Sequence, residues 1–148
     1  IKIKGQSEIL AVVFIYINQL EAINESSGHD LGGAVMQEIA RNLRTDLPQI
    51  TRRENNDIFN VWSNIFVVLV RSKKIKSLQY KISKIAGIFG KSFNLDSKSI
   101  HITTSIGVSV YPDHGLSADR LIKSADIAMY AAKESGINNI RFYNPELD

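Results

Sequence analysis

Nine consecutive apolar or aromatic residues, ILAVVFIYI from Ile9 to Ile17, constrain this chain more than any other feature. The run is rich in β-branched types and has no polar alternation. It therefore predicts a strand buried on both faces and central in a sheet. It is far too short to cross a bilayer, and no longer apolar run exists elsewhere.

Around that strand the pattern alternates between helix and strand. A short helical turn is expected near Gln19 to Asn24. From Gly28 to Leu47 the apolar positions Leu31, Val35, Ile39 and Leu43 share one side, which predicts an amphipathic helix ended by Pro48. Asp57 to Trp62 and Ile65 to Val70 are strand-like, and the two residues between them have hairpin spacing. Ile75, Leu78, Ile82, Ile85 and Phe89 recur at helical intervals within Lys73 to Lys91. Ile100 to Val110 reads as a strand and Pro112 to Gly115 as a loop. Ser117 is placed to cap a helix running to about Ser135, with Gly136 as its stop. Ile140 to Tyr143 closes the order β-α-α-β-β-α-β-α-β. A hairpin among mixed elements predicts an α+β sheet with helices packed over it.

At 148 residues and 44% hydrophobic composition, the chain has the size of one domain with a real core. A net charge of +3 is too mild to imply nucleic acid. With no cysteine, a disulfide framework and thiolate metal sites are excluded, and a reducing cytoplasm fits. The start at Ile1 reads as a piece of a longer protein, which could itself be anchored in the inner membrane. Residues 1–8 are expected to be an N-terminal linker and 144–148 the start of a second one. The helix at Lys73 to Lys91 carries Lys73, Lys74, Lys76, Lys81, Lys84 and Lys91 and no acid. Those lysines flank a clean apolar stripe, without an aromatic ladder to stack bases. A solvated face accounts for them, and neither nucleic-acid binding nor direct membrane contact is expected.

The string SADIAMYAAKESG at residues 124–136 closely resembles the last helix of GGDEF domains, the bacterial family that makes cyclic di-GMP from two GTP molecules. Ser105, Ile106 and Gly107, together with the spacing of Asn24, Gly28, His29 and Gly32, resemble the family in order and distance. The likeness runs from about Ile9 to Tyr143. It implies a fold akin to nucleotide cyclases and polymerase palms, with a five-stranded, largely antiparallel sheet surrounded by helices.

Cyclic di-GMP synthesis needs a 3′-hydroxyl to attack an α-phosphate, with divalent metals held by carboxylates. Magnesium demands hard oxygen ligands. By the resemblance, the first-strand aspartate position falls on Tyr16, and the hairpin acids fall on Asn64 and Ile65. The hairpin reads Trp62-Ser63-Asn64-Ile65-Phe66, and no Asp or Glu occurs between Ile58 and Leu95 to stand in. Asn24 matches the family's guanine-binding asparagine, but its acidic partner falls on Gly33. A phosphate-holding lysine falls on Glu21, and the basic residue after the last helix falls on Ile137. Lys133 remains. The product-inhibition motif RxxD reads Arg53-Glu54-Asn55-Asn56, with its arginine kept and its aspartate an asparagine.

The expectation is therefore a catalytically inactive, degenerate GGDEF domain with no metal cofactor, serving regulation or interaction. The closing RFYNPELD resembles the junction into an EAL phosphodiesterase domain, the expected partner in the same protein, with a homodimer as a further option. Nucleotide sensing through Asn24 and Lys133 or through Arg53 and Asn56, and residual cyclase activity, stay as alternatives. Several residues also have plainer readings. Asn24 can bond local backbone, Lys133 can be solvated, and His29 can be structural. Trp62, where the family has glycine, is either a contact for a partner or a cover over the nucleotide cleft.

Overall fold

A computed structural model describes residues 8–27, 29–62, 64–90, 92–95, 97–136 and 139–148. Strand β1 (Ile9–Ile17) is followed by helices α1 (Leu20–Ser27) and α2 (His29–Thr51). The hairpin β2 (Ile58–Trp62) and β3 (Ile65–Ser72) leads to α3 (Ile75–Ile88). A small hairpin, β4 (Phe93–Leu95) and β5 (Lys98–Ile100), precedes β6 (Thr104–Tyr111). Helix α4 (Ala118–Ser135), β7 (Asn139–Phe142) and a 3-10 turn (Pro145–Leu147) complete the chain.

The main sheet has five strands in the order β2-β3-β1-β6-β7. Strand β1 is central, as its composition predicts, and pairs antiparallel with both β3 and β6. The β6–β7 pairing is parallel, with α4 as the crossover. Alternate β1 residues serve two cores. Ala11, Val13, Ile15 and Ile17 face Val35, Ile39, Leu43 and Leu47 of α2 and Leu78, Ile82 and Ile85 of α3. On the opposite face, Val12 and Phe14 join Ile65, Val67 and the α4 residues Leu121, Ala125 and Met129.

Helix α4 is delimited as expected. The Ser117 side chain accepts a hydrogen bond from the Arg120 N–H, and Gly136 closes the helix with a φ of 135°. That positive φ suits glycine alone.

Two sequence expectations are corrected. Helix α2 does not stop at Pro48 but continues to Thr51. Its extra turn holds because the Arg52 N–H donates to the Pro48 carbonyl and the Thr51 hydroxyl donates to the Leu47 carbonyl. It ends at Arg52, whose φ of 61° lies in the left-handed region. The strand expected from Ile100 to Val110 is divided. Residues 101–103 leave the ladder because Thr103 is engaged elsewhere: its carbonyl accepts from the Asn18 N–H and its own N–H donates to Gln19 Oε1.

The loop after β6 carries a pH-sensitive contact. The Val110 N–H donates to His114 Nδ1 at 2.9 Å, which requires that nitrogen to be unprotonated. Burial holds the imidazole below its ordinary pKa of 6.5, against the opposing pull of the Asp113 carboxylate. The unfolded chain therefore takes up this proton first as pH falls. The contribution of His114 to stability should be full above pH 6.5 and decline below it, toward the depressed folded value. Urea unfolding followed across that range should show the loss, and His114→Gln should flatten that part of the profile.

Candidate functional site

The candidate site lies where β1 and the β2–β3 hairpin end together. The register sets Tyr16 directly opposite Ile65 on β3 and opposite Ser105 on β6. Asn64 adjoins them, its carbonyl accepting from the Ile17 N–H at 2.9 Å. The three positions on which the resemblance places carboxylates thus lie together at one end of the sheet.

What converges is apolar rather than anionic. Ile65 is 7% exposed and belongs to the core cluster of Val12, Phe14 and Met129, with Tyr16 packed against its margin. Lys133, in the last turn of α4, places Nζ 4.0 Å from the centroid of the Tyr16 ring. The Tyr130 ring is 6.0 Å from the same ammonium. A cation over a phenol ring is attracted by about 0.5–1 kcal/mol at an exposed position. The ammonium therefore sits beside the position where the resemblance places a divalent ion. A phenol, an isoleucine and a lysine do not fit magnesium, which needs several hard oxygen donors and repels a neighbouring cation. Among the described residues, no group of three or more His, Asp or Glu side chains is gathered to hold a metal.

Asn24 and Gly33, the positions where the resemblance places guanine contacts, differ in their surroundings. Asn24 on α1 lies against the backbone of α2, so close that a Cβ on Gly32 would stand 1.8 Å from Asn24 Oδ1. Gly32 is the residue that lets the two helices meet there. Gly33 is exposed, and a Cβ at that position would meet nothing within 4 Å. There is room for an acid, and the chain carries none. Glu21 lies in α1, but its side chain, like that of His29 at the start of α2, is outside the described residues, as is Ile137.

Both marked residues of the RxxD-like segment have partners within the domain. Arg53 pairs with Glu8 at 3.3 Å. Asn56 donates to the Arg53 carbonyl and accepts from the Thr51 hydroxyl, which makes it a clasp on the end of α2. Nearby, Arg52, Lys84 and Tyr80 line a shallow recess between α2 and α3.

Trp62 is 60% exposed, and with Phe59 and Val61 of the edge strand β2 it lines a groove of about 340 Å³. Val12, Phe14, Val67 and Leu69 form the groove's floor, and Ala118 and Ile122 of α4 form a wall. Helix α4 lies over β1, β6 and β7. The apolar face of β2 and β3 is left beside it.

Sequence reasoning missed a polar clamp at the end of β1. Asn18 and Gln19 both donate to the Thr103 hydroxyl, at 2.9 and 2.7 Å, and the Ser105 hydroxyl donates to Asn18 Oδ1. Its only local signal is the abrupt polar pair Asn18-Gln19 after nine apolar residues; the partners stand some 85 positions away.

A mixed five-stranded sheet with α4 as its helical crossover defines the fold class of the protein. The GGDEF family profile (Diguanylate cyclase, GGDEF domain) matches residues 2–139, and the chain belongs to that family. An uncharacterized signaling protein of Caulobacter vibrioides is 30% identical over 99% of this chain and 18% of its own length. The bifunctional diguanylate cyclase/cyclic di-GMP phosphodiesterase MucR of Pseudomonas aeruginosa is 26% identical over 93% of this chain and 19% of its own length. The chain thus spans about a fifth of these relatives. Among solved structures, the GGDEF domain of YfiN (TpbB) from Pseudomonas aeruginosa superposes with a TM-score of 0.84 at 27% identity, covering 93% of this chain and 83% of that one. An EAL/GGDEF domain protein from M. capsulatus gives 0.82 at 27% identity, covering 96% and 88%. No helix among the described residues is long and apolar enough to cross a membrane.

Proposed function

We propose that this domain does not synthesise cyclic di-GMP and instead regulates or positions an adjacent EAL-type phosphodiesterase domain. The observation that carries the first half is the Tyr16–Ile65 cross-strand pair with Lys133 seated on the phenol. Phosphoryl transfer depends on positioning and on charge neutralisation by metal, and this surface supplies neither. The second half is supported by the groove around Trp62, an apolar contact surface beside the altered site. It is also supported by relatives such as MucR and the M. capsulatus protein, whose names join the two activities or domains.

Purified protein incubated with GTP and magnesium or manganese should yield no cyclic di-GMP above a no-protein blank. Product above that blank sinks the first half. In the longer polypeptide, Trp62→Glu should change phosphodiesterase activity without unfolding the domain, because the indole is already mostly in solvent. An unchanged activity counts against the second half.

A second reading is nucleotide sensing through Asn24 and Lys133 or through Arg53 and Asn56; beside Arg53 lies a recess lined by Arg52, Lys84 and Asp46. Calorimetry with cyclic di-GMP and with GTP separates the two readings: micromolar binding favours a sensor, and no heat favours a module that acts by contact alone.

A further inference from the structure

The last five residues fold back onto α4. Asn144 caps the closing turn by accepting from the Glu146 N–H, and Pro145 begins it. Tyr143 is 5% exposed, with its ring edge-on to His114 and the Arg120 guanidinium carbon 5.4 Å from its centroid. Its hydroxyl joins two elements: Arg120 donates to it at 2.6 Å, and it donates to Asp148 Oδ2 at 2.6 Å. Arg120 also reaches Asp148 directly at 3.4 Å. A charge-assisted triangle of this kind is stronger and more directional than neutral contacts.

We propose that Arg120, Tyr143 and Asp148 form a latch that holds residues 144–148 against α4 in a single orientation. The hydrogen bond from Tyr143 holds the Asp148 carboxyl below its ordinary pKa, so the acceptor stays ionised at neutral pH. Helix α4 carries Arg120 in its first turn and Lys133 near its end, so one rigid element bears both the latch and the cation of the candidate site. Use of the latch to orient a neighbouring domain rests on the regulatory reading above; the latch itself does not.

The absence of cysteine makes the test direct. Spin labels on Gln37→Cys in α2 and Glu146→Cys in the closing turn report the distance across the domain. The unmodified background should give one narrow distance distribution. Tyr143→Phe keeps the ring between His114 and Arg120 but removes the bridging hydroxyl, and it should broaden the distribution markedly. Arg120→Ala should broaden it further, and Leu116→Ala, an exposed change outside the triangle, should leave it narrow. Circular dichroism checks that each variant is folded. A distribution as narrow in folded Tyr143→Phe as in the background overturns the latch. Broadening in that variant, alongside a phosphodiesterase activity indifferent to it, supports the latch and counts against the regulatory reading alone.

Discussion

Gly107→Ala is expected to destabilise the domain by about 2–3 kcal/mol, the upper range for forcing volume into a packed core. A Cβ at this position would stand 2.1 Å from the Met129 nitrogen and 2.3 Å from the Ala125 oxygen. Both are backbone atoms of α4, so no side-chain rotation relieves the overlap. Strand β6 cannot retreat either, since it is hydrogen-bonded to β1 on one side and β7 on the other. The helix would have to lift, loosening Leu121, Ala125 and Met129 from the core beneath them. Gly33→Ala is the matched control. Its Cβ meets nothing within 4 Å, and it sits inside α2. Replacing an exposed helical glycine should raise stability by about 0.5–1 kcal/mol. Urea unfolding of the two variants should move in opposite directions. A Gly107→Ala protein as stable as its parent would mean that α4 sits higher on the sheet than described.

The contrast between these glycines marks where sequence reading reaches and where it stops. The central strand was legible because nine apolar residues without alternation have few other uses. Helix α4 was legible because a serine cap and a glycine stop are local chemistry. Pro48 misled for the same reason: the local rule ends a helix there, while Thr51 and Arg52 supply the bonds that extend it. The division of Ile100 to Val110 was hidden because it depends on Asn18 and Gln19, which are remote in sequence. At the candidate site the identities of Tyr16, Asn64 and Ile65 were readable, and so was their convergence through the resemblance. That Lys133 leans on Tyr16 was not, since a lysine on a helix gives no sign of where its ammonium rests. The groove was equally hidden, because Phe59, Val61 and Trp62 look like ordinary strand residues until the position of α4 is known.

Placing acids where the resemblance expects them, with Tyr16→Asp, Asn64→Glu and Ile65→Glu together, is expected to give no cyclic di-GMP. The geometry opposes the repair at each position. An aspartate at position 16 would replace the ring on which Lys133 now rests. The ammonium is the nearest available partner, so an ion pair with it competes with metal binding before any magnesium is recruited. A glutamate at position 65 would enter the cluster of Val12, Phe14 and Met129. Burying a carboxylate there without partners costs about 3 kcal/mol or more, or else keeps it protonated and useless as a ligand. By the resemblance, the guanine's acidic partner falls on Gly33, so even a metal held at the hairpin would lack an oriented substrate. Misplacement alone lowers rate steeply when a reaction depends on alignment. Adding Lys133→Met and Gly33→Asp to the triple variant should improve metal and nucleotide binding stepwise, measurable by calorimetry, before any turnover. Clear product from the folded triple variant alone would show that Lys133 yields readily. The substitutions that decide activity would then be those at positions 16, 64 and 65 alone.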